Sequence, residues 1–213
     1  MISYRRIPVN IVIVDSGPLI SLAAVDRLDL LDSFSRPVTV SDVVAAECLR
    51  YPEKLGANRL TEWFRAFDGK RFRVMDTPLL PLWRDAVAEE EGGSDHLPSK
   101  GIGDASIAWL LHELPRLNPG DELVLVLTED AGLGDGLIRG LGPQFYLLST
   151  RMLLKTLENF GVISSAETLL SDIAAAGRSV SRYAVDRPGR LEGQRKSSWT
   201  DPLVDGTSGR EGE

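Results

Sequence analysis

The hydrophobic positions of this chain fall into two kinds of run. Short runs rich in branched residues, which are typical of strands buried on both faces of a sheet, occur at 10–15, 37–41, 71–75, 122–128 and 144–148. Longer runs with apolar residues three and four positions apart, which predict helices, occur at 18–34, 42–51, 59–67, 104–114, 151–160 and 165–176. Alternating strands and helices imply βαβ units. The pattern therefore predicts an α/β fold with a mainly parallel central sheet.

Length and composition suit one globular domain followed by a tail. The chain has 213 residues, of which 43% are hydrophobic and 26% charged, so it can bury one full core. We assign 1–185 to this domain. The segment 186–213 has too few apolar residues to fold alone and is predicted to be disordered. No run is apolar and long enough for a membrane span or a signal peptide, so the expected location is the cytoplasm.

The charged and metal-binding residue types narrow the chemistry further. One cysteine, Cys48, excludes an internal disulfide and a cysteine-based zinc site. The net charge of −7 argues against a generic basic surface for nucleic acids. The negative charge does not exclude a site that binds phosphates through metal ions.

Two acids stand directly after predicted strands. Asp15 follows the run "NIVIV" and precedes Ser-Gly-Pro, and Asp130 ends the run "VLVLTED". In open parallel sheets the carboxyl ends of the strands are where ligands bind. Each acid also has a structural interpretation, because Asp15 could cap the following helix and Asp130 could be an exposed turn residue.

Two further acids lie on the apolar faces of predicted helices. Glu47 shares a stripe with Val43, Val44 and Cys48 in the helix that Ser41 begins. Asp104 stands in the first turn of its helix, on the side of the apolar residues that follow it at helical spacing. A buried acid is costly without a partner. Each acid also has a purely structural interpretation. Glu47 could lie at the edge of the apolar stripe and reach water, and Asp104 could be favoured by the positive end of the helix dipole.

Taken together, the four acids predict a metal site. Residues at strand ends and on inward helix faces can converge above one parallel sheet. Without cations each like-charged pair at ~4 Å would cost on the order of 4 kcal/mol at an effective dielectric of about 20. Since the chain has only two histidines and one cysteine, carboxylate ligands favour a hard ion, Mg²⁺ or Mn²⁺.

The same acids carry a family resemblance. Asp15 in "VDSGPLI", Glu47 in "VVAAEC", Asp104 in "GIGDASIA" and Asp130 in "VLTED" resemble the four acidic motifs of the PIN domain, in order and at compatible spacing. The segment "LLSTRMLLKTLENFGVISSAETLLSDIAAAGRSVS" resembles the closing helices of a bacterial and archaeal PIN subgroup that is similar to VapC-type toxins. The resemblance covers about 10–182.

The resemblance implies a PIN-like three-layer α/β/α sandwich and a metal-dependent endoribonuclease that hydrolyses RNA phosphodiester bonds. It further implies the toxin of a type II toxin-antitoxin system, with a small antitoxin as partner and a homodimer as a candidate assembly. Asp15, Asp104 and Asp130 would hold metal, and Glu47 would bind metal or a metal-bound water. Ser16 could assist through its hydroxyl or simply cap a helix.

Some features depart from the family pattern or leave its extent open. The polar segment 89–101 is expected to be a long acidic loop, which is unusual before the third motif. Some relatives carry Glu where Asp104 stands. Asp135 is a further candidate ligand, with a solvated helix acid as its alternative.

Other functions compete with the nuclease. A haloacid-dehalogenase-like phosphatase needs a second Asp two residues after the first, where this chain has Gly17. Receiver domains usually open with adjacent acids, which Asp15 lacks. A non-catalytic PIN-like binding or scaffolding protein is the alternative from another class, and the presence of all four acids favours the enzyme over it.

Overall fold

Parallel strands form the centre of the molecule, as the computed structural model shows for residues 7, 9, 11–67, 71–93, 99–117, 123–130, 145–180 and 187–188. All five runs predicted as strands are strands. They are β1 (Ile11–Val14), β2 (Val38–Ser41), β3 (Phe72–Met75), β4 (Val124–Leu127) and β5 (Phe145–Leu148). Nearly every residue of β1, β4 and β5 is buried, as expected for strands covered on both faces.

The order of the strands creates a crevice beside β1. The sheet runs β3-β2-β1-β4-β5, all parallel, and a sixth strand, β6 (Arg187–Pro188), joins β5 antiparallel. The chain moves from β1 outward to β2 and β3 and then returns to the other side of β1 with β4. Such a reversal is the topological switch point at which open α/β sheets bind ligands. Val14 pairs with Leu127, so β1 and β4 end side by side at this point.

The helices complete the three layers and confirm the predicted α/β/α sandwich with a mainly parallel sheet. They are α1 (Ser16–Ala24), α2 (Asp42–Leu49), α3 (Ala57–Phe67), α4 (Leu80–Glu91), α5 (Ile102–Leu117), α6 (Thr150–Asn159) and α7 (Ala166–Ala175), with a 3₁₀ helix at Leu28–Ser33. None of the helices in the described ranges has both the length and the apolar character that a membrane crossing requires.

The helical prediction at 18–34 was wrong in one respect. The chain forms α1 and the 3₁₀ helix there, separated by a turn at Asp26, whose φ is +59°. The Arg27 N–H donates to the Leu22 carbonyl oxygen at 2.8 Å, and the Asp26 N–H donates to the Ala23 carbonyl oxygen at 3.2 Å. These two bonds close the end of a helix around a left-handed residue. Asp tolerates that conformation better than most residues, so the helix stops although the apolar pattern continues.

Helix α4 was not predicted, and its last turn occupies the start of the expected loop at 89–101. Its buried side chains are few, chiefly Trp83 and Ala86, so its apolar stripe is too narrow to stand out in the sequence. These two residues pack with Val43 of α2 and Ile102 of α5 in a small cluster apart from the main core. The cluster holds α2, α4 and α5 together.

A buried hydrogen-bond network fixes the start of α2. The Asp42 carboxylate accepts from the Thr77 N–H at 2.9 Å and from the Thr77 hydroxyl at 2.7 Å. It also accepts from the Val43 N–H at 2.9 Å. Buried carboxylates are tolerable when they are hydrogen-bonded in this way. The network ties α2 to the segment after β3 and so orients the helix that carries Glu47.

The predicted C-terminal tail is described only where it forms β6. Tyr146 pairs with Pro188 and Leu147 with Arg187, so two residues inside the predicted tail extend the sheet. The rest of the predicted tail, residues 186 and 189–213, lies outside the described residues. The division into a domain at 1–185 and a disordered tail at 186–213 stays a prediction.

Candidate active site at the carboxyl edge of the sheet

Asp15 is placed by the end of β1 and the start of α1. Its side chain is buried, and one carboxylate oxygen accepts from the Ser16 N–H at 2.6 Å. The other oxygen accepts from the Thr128 hydroxyl at 3.0 Å. Burial raises the pKa of Asp15, the hydrogen bonds from Thr128 and Ser16 oppose this rise, and the charge of Asp130 adds to it. Asp15 therefore caps α1 and also presents a carboxylate at the switch point.

Glu47 lies on the α2 face that meets the start of α5, and a glycine makes room for it. A Cβ atom added to Gly103 would lie 2.6 Å from Oε1 and 2.7 Å from Oε2 of Glu47. Real Cβ atoms essentially never come so close to another heavy atom. The carboxylate therefore rests against the Gly103 backbone, in space that only glycine leaves empty.

The pKa of Glu47 is raised from its usual 4.5 to about 7. Burial is the largest cause, and the charges of Asp15 and Asp104 add to it. The Ser16 hydroxyl and the Arg50 guanidinium act in the opposite direction. A carboxyl that titrates near neutral pH is suited to accepting and releasing protons.

Asp104 stands in the first turn of α5, where a serine network aligns this helix with α2. The Ser41 and Ser106 hydroxyls share a hydrogen bond of 2.6 Å, and the Ser106 hydroxyl donates to the Gly103 carbonyl oxygen at 2.6 Å. Ser41 also caps α2, as predicted, by accepting from the Val44 N–H. Burial, followed by the charges of Asp15 and Asp130, raises the pKa of the half-buried Asp104 to about 6.

Asp130 follows β4 and is coupled to Asp15 through one threonine. The Asp130 N–H donates to the Thr128 hydroxyl oxygen at 3.0 Å, and the same hydroxyl donates to Asp15. Thr128 itself is held by its N–H, which donates to the Leu148 carbonyl oxygen of β5 at 2.9 Å. The side chain of Asp130 is exposed, so it stands at the open side of the site.

The four predicted acids line one open cavity of about 360 Å³, which we call the acidic cleft. Its lining residues are Asp15, Ser16, Gly17, Glu47, Gly101, Gly103, Asp104, Glu129 and Asp130. Ser16 is thus present as expected, and Asp135 lies outside the described residues. Sequence reasoning missed the supporting residues Thr128, Ser106 and Gly103. The only available signal was a polar Ser106 on the buried face of a helix.

The donor chemistry of the cleft fits a hard divalent cation, whereas the present positions of the side chains do not form a coordination shell. Carboxylates are the donors that Mg²⁺ and Mn²⁺ prefer. A bound cation would offset the repulsion that contributes to the raised pKa values of Asp15, Glu47 and Asp104. Among the described residues, however, no three His, Cys, Asp or Glu side chains are grouped closely enough to hold one ion.

Fold and cleft together define an α/β/α sandwich with a carboxylate site at the switch point of its sheet. Residues 11–77 match a family model described as a PIN domain. The matched range contains Asp15 and Glu47 and ends before Asp104. None of the curated proteins compared with the chain matches it. The match covers 67 of the 213 residues and shows a likeness to PIN domains over that range.

Proposed function

We propose that this protein is a Mg²⁺- or Mn²⁺-dependent endoribonuclease that hydrolyses RNA phosphodiester bonds in the acidic cleft. One observation carries the proposal: four carboxylates from β1, α2, α5 and the end of β4 line one cavity at the switch point of the sheet. Like-charged carboxylates that share one cavity repel each other, which is unfavourable for folding. Their chemical use is to bind cations that contact phosphate.

The proposed roles follow the surroundings of each acid. Asp15, Asp104 and Asp130 would hold the cation, because they lie around the carboxyl ends of β1 and β4. A bound Mg²⁺ or Mn²⁺ acidifies water and offsets charge on the phosphodiester. Glu47, which lines the same cleft from α2, accepts the proton of the attacking water. The new bond forms between water oxygen and phosphorus, and the phosphorus–oxygen bond to the leaving nucleotide breaks.

The phosphatase alternative is disfavoured at position 17. A haloacid-dehalogenase-like enzyme needs an Asp there, but a Cβ atom on Gly17 would lie 3.1 Å from Cγ of Glu129. Glu129 is itself held in place, because its carboxylate accepts from the Thr150 N–H at 3.0 Å. A thiol nucleophile is also disfavoured, since burial and the charges of Asp15 and Glu47 raise the pKa of Cys48.

Cleavage of single-stranded RNA tests the proposal. Wild type is expected to cut a labelled RNA in Mn²⁺ or Mg²⁺ and to lose activity in EDTA. The Asp15→Asn variant should cleave at least about 100-fold more slowly, which is the usual cost of losing a group that stabilises charge in the transition state. Asp172→Asn, on the exposed face of α7, is the matched control. Equal cleavage in EDTA, or by Asp15→Asn, contradicts the metal-dependent mechanism. A folded wild type that binds RNA without cutting it supports the scaffolding alternative.

The finer proposal is that this nuclease is a VapC-like toxin controlled by a small antitoxin. Its support is the resemblance of the acidic motifs and closing helices, since a carboxylate nuclease left uncovered would damage cellular RNA. Induced expression should arrest bacterial growth, and Asp104→Asn or co-expression of a small protein encoded beside the gene should relieve the arrest. Equal growth of wild type and Asp104→Asn, with wild type still cutting RNA, rejects the toxin and keeps the nuclease. The homodimer stays a prediction for size-exclusion measurements.

A further inference from the structure

A second cavity lies beside the acidic cleft and has the opposite character. It encloses about 260 Å³ and is lined by basic, aromatic and aliphatic side chains. We call it the cationic cavity and define it by Tyr51, Lys54, Trp83, Lys100 and Arg178. Glu47 lines both cavities, so the two are neighbours across one side chain.

Three of the basic groups have no acidic partner among the residues that the structure describes. Arg50, which also lines the cavity, is engaged: its Nη2 lies 3.0 Å from Glu90 and its Nη1 donates to the Ser99 hydroxyl at 3.1 Å. Lys54, Lys100 and Arg178 form no ion pair with a described carboxylate. The Nε–H of Arg178 is buried and finds no acceptor among the described residues. Three cations that lack an acidic partner within the described part of a chain of net charge −7 indicate an anionic ligand.

The remaining walls suit a flat apolar group next to that anion. Tyr51 is 41% exposed, and the Lys54 Nζ lies 3.9 Å from its ring centroid. Trp83 and Leu60 contribute buried apolar surface and Leu55 an exposed aliphatic edge. Aromatic rings beside lysines and arginines are the usual means by which proteins hold single-stranded nucleic acids without reading their sequence.

We propose that the cationic cavity binds one nucleotide of single-stranded RNA, next to the nucleotide whose phosphodiester bond enters the acidic cleft. This inference rests on the proposed nuclease function. The phosphate of the bound nucleotide meets Lys54, Lys100 and Arg178, and its base lies against Tyr51 and the aliphatic wall. The volume, slightly below the range of about 300–1,000 Å³ typical of small-molecule pockets, suits one nucleotide better than a segment of protein.

The cationic cavity can attract RNA to the neighbouring acidic cleft. The acidic cleft repels a polyanion until cations are bound, whereas contacts between basic side chains and phosphate attract it and weaken with salt. A basic subsite one nucleotide away therefore holds the RNA while the scissile phosphate approaches the acids. Lys54, Lys100 and Tyr51 act in binding, so their loss should change KM far more than kcat.

The test measures binding and cleavage of one probe, a 5′-fluorescein-labelled 12-nucleotide RNA without secondary structure. Fluorescence anisotropy in EDTA gives Kd, and steady-state cleavage in Mn²⁺ gives KM and kcat. Tyr51→Ala should weaken binding roughly 5- to 150-fold, the range for loss of one stacked base. Lys54→Ala with Lys100→Ala should weaken binding and flatten its salt dependence by roughly 0.7 per lost phosphate contact. Arg65→Ala, exposed on α3 and outside both cavities, is the control for the loss of a positive charge elsewhere on the surface.

The outcomes separate this inference from the proposed function. The RNA subsite is supported if the cavity variants have a raised Kd and KM with an unchanged kcat, while Arg65→Ala keeps the wild-type Kd, KM and kcat. If wild type cuts RNA and all cavity variants bind and cut like wild type, the subsite is wrong and the nuclease stands, which leaves the cavity to a protein partner. If wild type binds RNA through the cavity but cuts none in Mn²⁺ or Mg²⁺, the nuclease fails and the subsite stands. Absence of RNA binding in wild type overturns the subsite.

Discussion

The contact between Gly103 and Glu47 yields a sharp prediction, because one methyl group should disable the site without harming the fold. In Gly103→Ala the new Cβ would stand 2.6 and 2.7 Å from the two Glu47 carboxylate oxygens, and ordinary contact begins at 3.4 Å. The nearer carboxylate oxygen must therefore retreat by 3.4 − 2.6, or roughly 0.8 Å. The three nearest atoms all belong to the end of this flexible side chain, so it can move at little cost.

The expected effects on stability and activity have opposite signs. Gly103 is the second residue of α5 and has no positive φ, so alanine fits this backbone, with a preference over glycine below the roughly 1 kcal/mol of a helix interior. The melting temperature should therefore stay unchanged or rise. A displacement near 1 Å in a catalytic constellation can cost about 10²-fold in rate, which corresponds to about 2.7 kcal/mol of transition-state free energy.

The assay combines thermal melting with single-turnover RNA cleavage. Ala105→Ser, on the exposed side of the same helix, is the control and should leave both unchanged. In a Glu47→Ala background, Gly103→Ala should cause no further loss of activity, because the carboxylate it displaces is absent. Wild-type activity in Gly103→Ala, or an equal additional loss in the Glu47→Ala background, would refute the reasoning that glycine serves to place Glu47.

Three further predictions concern the metal, the pH dependence and the tail. Mn²⁺ at 100 times its Kd should raise the free energy of unfolding by about 2.7 kcal/mol. For a domain of this size this raises the melting temperature by roughly 5–10 °C, and an equal rise in Asp15→Asn would contradict a metal site in the acidic cleft. In EDTA, the free energy of unfolding should fall as pH rises from 4.5 to about 7, because folded Glu47 and Asp104 retain protons that the unfolded chain has released. Glu47→Gln should reduce this slope in pH-dependent melting, most of all near pH 7, whereas the exposed Glu89→Gln should not. Deleting 189–213, which keeps β6, should preserve the melting temperature and RNA cleavage, and loss of soluble protein would show that the tail packs on the domain.

Local sequence pattern sufficed for the strands and for the choice of candidate acids. Each strand-like run is short and apolar, so its length and residue types identify a strand without knowledge of its neighbours. Asp15 and Asp130 follow from the position of those strands, and Glu47 stands out because an acid on an apolar stripe is energetically costly. The polar helix α4 escaped prediction because its few buried residues, Trp83 and Ala86, leave almost no periodic signal.

The convergence of the site and everything that supports it depended on tertiary structure. Thr128 joins Asp15 across 113 residues of sequence, and Ser41 meets Ser106 across 65; such contacts have no local signature, because they depend on which strands become neighbours. The space at Gly103 exists only because α2 and α5 pack together, and the cationic cavity exists only because α2, α3 and the chain after α7 meet around it. The sequence by itself determined which groups can do chemistry, through local period and residue type, while the packing of distant elements decided where those groups point and how readily they give up a proton.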